Sequence, residues 1–169
     1  MRNRSIIMTG LLIGFLFATG MGQAEEYQCL PCGSECDKAL YDKPGDCPHC
    51  TMKLVKKSTV VFKSIQPADL CTYIAKHPDV VLLDVRTKEE HDGKTDDYGT
   101  IKNAINIPVQ ELEKRVSELS AYKEKEIIVY CSHSKRSPRA SYLLNQNGFK
   151  HVTNMEGGMI TMKDNTCKK

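Results

Sequence analysis

A chain of 169 residues that is 40% hydrophobic and 27% charged, with 11 Gly and 7 Pro, excludes a collagenous, low-complexity or wholly disordered protein. It leaves room for one modest folded domain with a small appendage. The net charge of +3 drops by two arginines to +1 once the leading segment is set aside, which argues against a nucleic-acid partner. Eight cysteines are too few for a fold built on disulfides, but they are clustered and carry most of the information.

Arg2 and Arg4 precede an uncharged, mostly apolar run from Ile6 to Ala18, and small residues follow at Gly20, Gly22 and Ala24. Basic, apolar and small-residue regions in that order read as a secretory signal cleaved after Ala24, so 1–24 is removed and the mature chain starts at Glu25. A retained anchor needs roughly 20 apolar residues, more than this run supplies. A lipid anchor is disfavoured because Cys29 follows Glu25, Glu26, Tyr27 and Gln28 rather than a small apolar run. The expectation is a periplasmic or secreted protein, free of the membrane after cleavage. Its compartment is oxidising, so disulfides compete with every other use of these thiols.

Residues 25–57 hold five cysteines: Cys29 and Cys32 in one Cys-x-x-Cys turn, then Cys36, then Cys47 and Cys50 in a second turn. Two such turns 14 residues apart have the spacing of a zinc ribbon, with Cys29, Cys32, Cys47 and Cys50 as four thiolate ligands. A segment of about 30 residues with few large apolar side chains cannot build a core, so a metal or disulfides must stabilise it. Both alternatives stand at this point. Cys36 and His49 are surplus to a four-cysteine site. Cys36 is open to being an exchanging ligand or a free thiol, and His49 reads as a solvent-facing turn residue.

The string Tyr27-x-Cys29, followed by Pro44-Gly45-x-Cys47-Pro48-x-Cys50-x-Met52, resembles the small heavy-metal-binding modules attached to bacterial metal-efflux proteins. Those modules read Tyr-x-Cys-Pro-Met-His-Pro and then Pro-Gly-x-Cys-Pro-x-Cys-Gly-Met. Here Pro31 and Cys32 stand in place of Met and His, and Thr51 in place of Gly. The resemblance implies zinc or another soft metal ion, with sulfur ligation favoured by the substitutions.

Residues 58–169 alternate strand and helix signals. The expected elements are a strand over Val60–Phe62, a helix over Pro67–Lys76, a buried strand over Val80–Val85 and, after a polar loop, a short strand over Ala104–Ile107. A helix over Val109–Leu119, a buried strand over Glu126–Tyr130, a helix over Pro138–Asn147 stopped by Gly148, and a strand over Val152–Met155 complete the series. This alternation predicts an α/β domain with a parallel central sheet flanked by helices, preceded by the small metal-ribbon module.

The chemistry is concentrated at Cys131-Ser132-His133-Ser134-Lys135-Arg136-Ser137, where a buried strand meets a helix. Ligands of open α/β sheets bind at the carboxyl ends of strands, and here that end carries a thiol. Helix-terminal amides, Lys135 and Arg136 favour its thiolate, making Cys131 a nucleophile. Four residues separate Cys131 from Arg136, a shorter ring than the five with which cysteine phosphatases wrap a phosphate. Sulfur carried on cysteine suits it better.

These features resemble a single-domain rhodanese, a sulfurtransferase that forms a persulfide. Leu82-Leu83-Asp84-Val85-Arg86 with Glu89-Glu90 is similar to that family's first signature. Gly99-Thr100-Ile101-x-Asn103-Ala104-x-Asn106-Ile107-Pro108 is similar to its second, and Gly148-Phe149 with Glu156-Gly157-Gly158-Met159 to its ending. The resemblance runs through nearly all of 58–169. It departs at Ser134, where the family has Gly, at Thr100 for His, in added length from Gly93 to Tyr98, and at Met162 for Trp.

The resemblance implies an exported thiosulfate sulfurtransferase. Cys131 and Arg136 are its catalytic residues, and Ser132, His133, Ser134, Lys135 and Ser137 bind the substrate. Sulfur passes from thiosulfate or a persulfide donor to cyanide or to a thiol acceptor, including a protein thiol, and the transfer site needs no cofactor. The alternative is a non-catalytic envelope protein that binds metal or carries sulfur. Asp84 and Arg86 read as structural charges, with Arg86 reaching toward Glu89 or Glu90, and His91 and His133 as solvent-facing. Cys71 reads as a buried structural thiol. Cys167 is open to being free, to pairing with Cys71, or to attacking a Cys131 persulfide.

Overall fold

The computed structural model describes residues 24–31, 34–95 and 98–169, so all of the expected signal segment but Ala24, and Cys32, lie outside the described residues. Among those described, no helix is long and apolar enough to cross a membrane.

The amino-terminal segment forms a three-stranded antiparallel sheet in the order β2-β1-β3, with β1 at Tyr27–Gln28, β2 at Leu40–Tyr41 and β3 at Val55–Lys56. Each strand has two residues. Three exposed ion pairs, Lys56–Glu25, Lys57–Glu26 and Lys53–Asp46, decorate it, and such pairs contribute little stability in water. What fills its centre is sulfur: Cys29, Cys36 and Cys47 are buried against Cys50, Met52 and Leu54.

The larger part is a five-stranded, all-parallel sheet in the order β4-β8-β7-β5-β6. Its strands are β4 (Lys63–Ile65), β5 (Val81–Asp84), β6 (Ile105–Asn106), β7 (Glu126–Tyr130) and β8 (His151–Met155). Its helices are α1 (Pro67–Lys76), α2 (Lys88–His91), α3 (Val109–Arg115) and α4 (Ser137–Gln146). Because side chains alternate across a strand, the apolar runs of β5 and β7 feed two separate cores. Leu83, Ile127 and Val129 pack with Leu112, Ala140 and Leu144 of α3 and α4. Leu82, Ile128 and Tyr130 pack with Leu70 of α1 and with Met155, Met159 and Met162 on the opposite face.

Helix α1 follows its expected limits, with Pro67 in the first turn, where a missing N–H costs nothing, and His77 stacked on Tyr73 at 4.0 Å just past its end. The first strand and the third helix differ from expectation. The first strand of the sheet is Lys63–Ile65 rather than Val60–Phe62. An edge strand bonds to one neighbour only, here β8, and keeps a wet face, so its polar residues sit in the ladder while Phe62 packs on the core from the lead-in and Val61 stays 66% exposed. The helix expected over Val109–Leu119 leaves α-geometry at Arg115 (φ −108°, ψ 4°) and continues as a 3₁₀ helix over Val116–Tyr122. Apolar residues three apart serve either winding, so spacing could not separate them.

A disulfide joins Cys71 of α1 to Cys167 near the carboxyl terminus. The tail is held further where Lys102 donates its N–H to the Cys167 carbonyl (2.9 Å) and Lys169 to that of Thr100 (2.8 Å).

Among the described glycines, Gly158 lies closest to neighbouring backbone. Its φ is +72°, and a Cβ there would lie 2.7 Å from the Cys131 carbonyl oxygen and closer still to the Ser132 carbonyl group. That proximity lets Met159 donate to the Cys131 carbonyl (2.9 Å) and Ile160 to the Ser132 carbonyl (3.1 Å), fixing the start of the Cys131 loop. Gly158→Ala is expected to lower stability by about 1–3 kcal/mol through backbone strain, measured as a shift in the thermal unfolding midpoint.

Candidate active site and metal centre

Cys131 follows β7 directly, at the carboxyl end of a strand flanked on both sides, and the loop 132–136 turns from there into α4. The cysteine lies at the floor of a shallow pocket rimmed by His133, Lys135 and Arg136. Its Sγ is 3.5 Å from the buried Ser137 Oγ. The loop divides into outward and inward side chains. His133 and Lys135 are exposed, His133 with its ring edge-on to Tyr98 at 5.8 Å. Ser132 and Ser134 point inward: Ser132 Oγ donates to Glu90 Oε1 (2.9 Å), and Ser134, at φ +54°, lies with Oγ 3.5 Å from the Met155 carbonyl. Ser134 thus holds the left-handed backbone that a Gly adopts without a Cβ penalty.

Arg136 makes a two-pronged ion pair with Glu90, Nη1 to Oε2 and Nη2 to Oε1, both at 2.6 Å, and Nη2 also donates to Ser132 Oγ (3.2 Å). The Arg136 hydrogen bond, assisted by donation from the Thr87 backbone and Ser132, holds the Glu90 carboxyl down at about 2 against the opposing effect of burial. The same pair raises Arg136, and the adjacent Cys131 sulfur adds to that shift. Glu90 was not among the expected site residues. Its signal was nevertheless present: Thr87-x-x-Glu90 is a capping box, with Glu90 N–H donating to Thr87 Oγ1 (3.3 Å) and Thr87 N–H to Glu90 Oε2 (2.8 Å). That box creates the short helix α2 inside the loop expected to be irregular.

Two expectations about neighbouring charges need correction. Arg86 does not reach Glu89 or Glu90. It is fully buried and folds back on Asp84, Nε to Oδ1 at 3.0 Å and Nη2 to Oδ2 at 2.8 Å, because Glu90 is committed to Arg136. His91 is not solvent-facing, since its Nδ1 lies 2.9 Å from Asp84 Oδ2 with the side chain 11% exposed. Being on the same short helix as Glu90, it closes that helix onto the end of β5.

In the amino-terminal module, the sulfur atoms of Cys29, Cys36, Cys47 and Cys50 all lie within 4.8 Å of one another, and these four cysteines are free of disulfides. Cys36, read as surplus, therefore joins three of the expected ligands, whereas Cys32 falls outside the described residues. The 3₁₀ turn Glu35–Lys38 carries Cys36 inward, a placement no Cys-x-x-Cys spacing announces. The second turn is a tight knuckle in which Cys47 N–H donates to the Met52 carbonyl (2.8 Å) and Thr51 N–H to the Cys47 carbonyl (2.9 Å). Thr51 has φ +60°, explaining why Gly suits that position in similar modules.

Burial pushes the Cys29 thiol well up, with its hydrogen bond to Cys50 adding to it. At Cys47 burial acts in the same direction but is outweighed by hydrogen bonds from the Cys50 and His49 backbone and from the Cys50 and Cys36 thiols, drawing it down to about 6. Four convergent, mostly buried sulfurs at this span fit a tetrahedral thiolate site with zinc–sulfur bonds of about 2.3 Å.

Residues 67–163 match the family model of the rhodanese-like domain, more than half of the chain, and the protein belongs to that family. It is similar to the tRNA uridine(34) hydroxylase of Cytophaga hutchinsonii, 30% identical over 115 residues, which cover 66% of this chain and 35% of that protein. The tRNA uridine(34) hydroxylase of Cronobacter sakazakii is 36% identical over 87 residues, 49% of this chain and 24% of that protein. The chain thus aligns with about a quarter to a third of the length of these curated relatives. Among solved structures, a rhodanese-related protein from Thermoplasma volcanium superposes with a TM-score of 0.51 at 34% identity, covering 60% of this chain and 90% of that one.

The Glu90–Arg136 pair sets a pH dependence. Glu90 has a lower pKa when folded, so the stability it contributes is complete above its ordinary value of 4.5 and is lost as pH falls through about 2. Acid unfolding followed by circular dichroism should show that Glu90→Gln lowers stability at neutral pH and removes part of the acid-side loss between those two values. In the module, Cys36→Ser is expected to convert stoichiometric zinc binding into weak, incomplete binding, measured by competition with a coloured chelator.

Proposed function

We propose that this protein is an exported sulfurtransferase that carries sulfane sulfur as a persulfide on Cys131. The observation that carries the reading is the Cys131 loop: a thiol at the end of a central strand, in a pocket rimmed by His133, Lys135 and Arg136, within a rhodanese-like fold. The curated relatives named above are hydroxylases, and they align with this chain over stretches of 87 and 115 residues.

The Cys131 thiolate attacks the outer sulfur of thiosulfate. A new sulfur–sulfur bond forms to Cys131, the bond to the sulfonate sulfur breaks, and sulfite leaves with the electron pair past Lys135. Arg136 holds its guanidinium at the pocket because Glu90 and Ser132 fix it from behind, and its remaining N–H groups are available to the anion. Cyanide or a thiolate then attacks the outer sulfur of the persulfide, releasing thiocyanate or a new persulfide and restoring the Cys131 thiolate. Donors are thiosulfate or small persulfides, and acceptors are thiols, including those of proteins.

A periplasmic or secreted location is supported by the signal-like leader and by the Cys71–Cys167 disulfide, since disulfides persist in oxidising compartments. Zinc or another soft ion held by Cys29, Cys36, Cys47 and Cys50 would supply folding energy to a module that lacks an apolar core.

Incubation with thiosulfate and cyanide is expected to yield thiocyanate, and the intact protein treated with thiosulfate alone to gain about 32 Da, the mass of one sulfur. Cys131→Ser should lose both while keeping the wild-type melting temperature. Thiocyanate formation that persists in Cys131→Ser would overturn the assignment, and a mass gain without turnover would favour a carrier.

A further inference from the structure

A second cavity of ≈ 620 Å³ lies between the cysteine module and the rhodanese-like domain. Cys50 lines it from the module, Glu113 from α3, and Lys135, Arg136 and Arg139 from the Cys131 loop and α4. Of the four convergent cysteines, Cys29, Cys36 and Cys47 are 1–2% exposed, whereas Cys50 is partly exposed and faces this cleft. The Cys29 sulfur lies 3.2 Å from that of Cys50. The charge around the cleft is one-sided. Arg136 is matched by Glu90, but among the described residues neither Lys135 nor Arg139 has a carboxylate partner, and Glu113 is the one acid lining the space.

Resting on the reading of these four sulfurs as a zinc site, we infer that the cleft is the exchange port of that site, and that it admits the ion as an anionic polycarboxylate chelate rather than as a bare cation. A closed four-sulfur site gains or releases its ion only where an outside donor can replace one protein ligand. Three of the sulfurs are sealed, so the replaceable one is Cys50, reached from the cleft. The volume is within the range of small-molecule sites, about 300–1,000 Å³, ample for a chelate. Lys135 and Arg139 repel a bare divalent cation and attract carboxylates, over a reach of about 8 Å at physiological salt. On delivery, a bond from the metal to the Cys50 sulfur forms as a metal–oxygen bond of the chelate breaks, and the thiol proton leaves to solvent. The ion keeps its charge, and no electrons are transferred. Cys29 then completes the next exchange from its place beside Cys50.

The test follows the reverse reaction, which uses the same route. The two-part protein loaded with one zinc per chain is mixed with excess ethylenediaminetetraacetate, an anionic polycarboxylate, or with the uncharged chelator tetrakis(pyridylmethyl)ethylenediamine, and the metal remaining is read by native mass spectrometry over time. Arg139 and Glu113 are exposed on α4 and α3, so charge reversal at either leaves the core untouched. Arg139→Glu is expected to slow removal by the anionic chelator about tenfold and Glu113→Lys to speed it several-fold, both effects shrinking with added salt. Removal by the uncharged chelator should stay within about twofold. Lys76→Glu, an equal charge change on exposed α1 across the sheet, should leave both rates alone.

Rates with the anionic chelator that are equal in wild type, Arg139→Glu and Glu113→Lys would overturn the port while leaving the zinc site in place. So would a slowing by Lys76→Glu as large as that by Arg139→Glu, or an equal slowing with both chelators. Failure of the wild-type protein to hold one zinc per chain would overturn the four-sulfur reading and the port with it.

Discussion

The buried pair of Asp84 and Arg86 is the constraint on which the arrangement of the site rests. Both side chains have no exposed surface, and each of their neighbours belongs to a different part of the chain. Asp84 accepts from Arg86 and lies against His91 of α2. Arg86 donates to the Gly99 carbonyl (2.9 Å) and Thr100 Oγ1 (3.2 Å), and sits 5.8 Å from the Tyr130 ring centroid of β7. Asn106 of β6 donates to the carbonyls of both residues. Removing one member of such a pair leaves an uncompensated charge, at a cost of about 3–5 kcal/mol, although replacing both by apolar groups is often neutral. The contribution of the pair is therefore positional: it decides where α2 docks, and hence where Glu90 points.

That placement links two parts of the candidate site that are 46 residues apart in sequence. The capping box orders α2, His91 draws it to Asp84, and Glu90 projects from it to brace Arg136 and Ser132 together. A cation in a loop would otherwise sample many rotamers, at an entropic cost each time an anion was bound. Here much of that ordering is already done in the free protein. Gly158 performs the corresponding task on the other side, where its lack of a side chain allows β8 and its following turn to close against the Cys131 carbonyl.

Much of this was legible in the amino-acid order. Helix α1 and strand β7 have the expected limits, and the parallel sheet follows from apolar runs alternating with amphipathic ones. The place of Cys131 between strand β7 and helix α4 was legible as well. Less legible was anything decided by contact between distant segments. Arg86 could have paired with any of several nearby carboxylates, and only the folded geometry assigns it to Asp84 and Arg136 to Glu90. The edge strand at Lys63–Ile65 was missed because backbone pairing with β8, rather than its own polar residues, defines it. In the module, two Cys-x-x-Cys turns suggested four ligands, whereas the convergence on Cys36 depends on a 3₁₀ turn that spacing does not encode. His133 is exposed as its loop position suggested, whereas Cys71, read as a structural thiol, is half of a disulfide with Cys167, one of the pairings left open for that residue.

The bond between Cys71 and Cys167 spans 96 positions, and α2, α3, α4, strands β5 to β8 and Cys131 itself all fall within that span. Topologically, the part of the protein that carries Cys131 is a closed ring, and among the described residues β4, the first residues of α1 and the cysteine module precede it. For a loop of that length, the lost freedom of the unfolded chain amounts to about 4.7 kcal/mol in the chain-entropy picture. A protease that cuts the exposed stretch around Lys94 opens the ring without releasing either piece, because the severed strands stay tethered through sulfur. The same covalent closure ties the far end of the chain to the first helix, so the backbone carrying Gly99 and Thr100 to Arg86 is clamped from the carboxyl terminus as well as from the core.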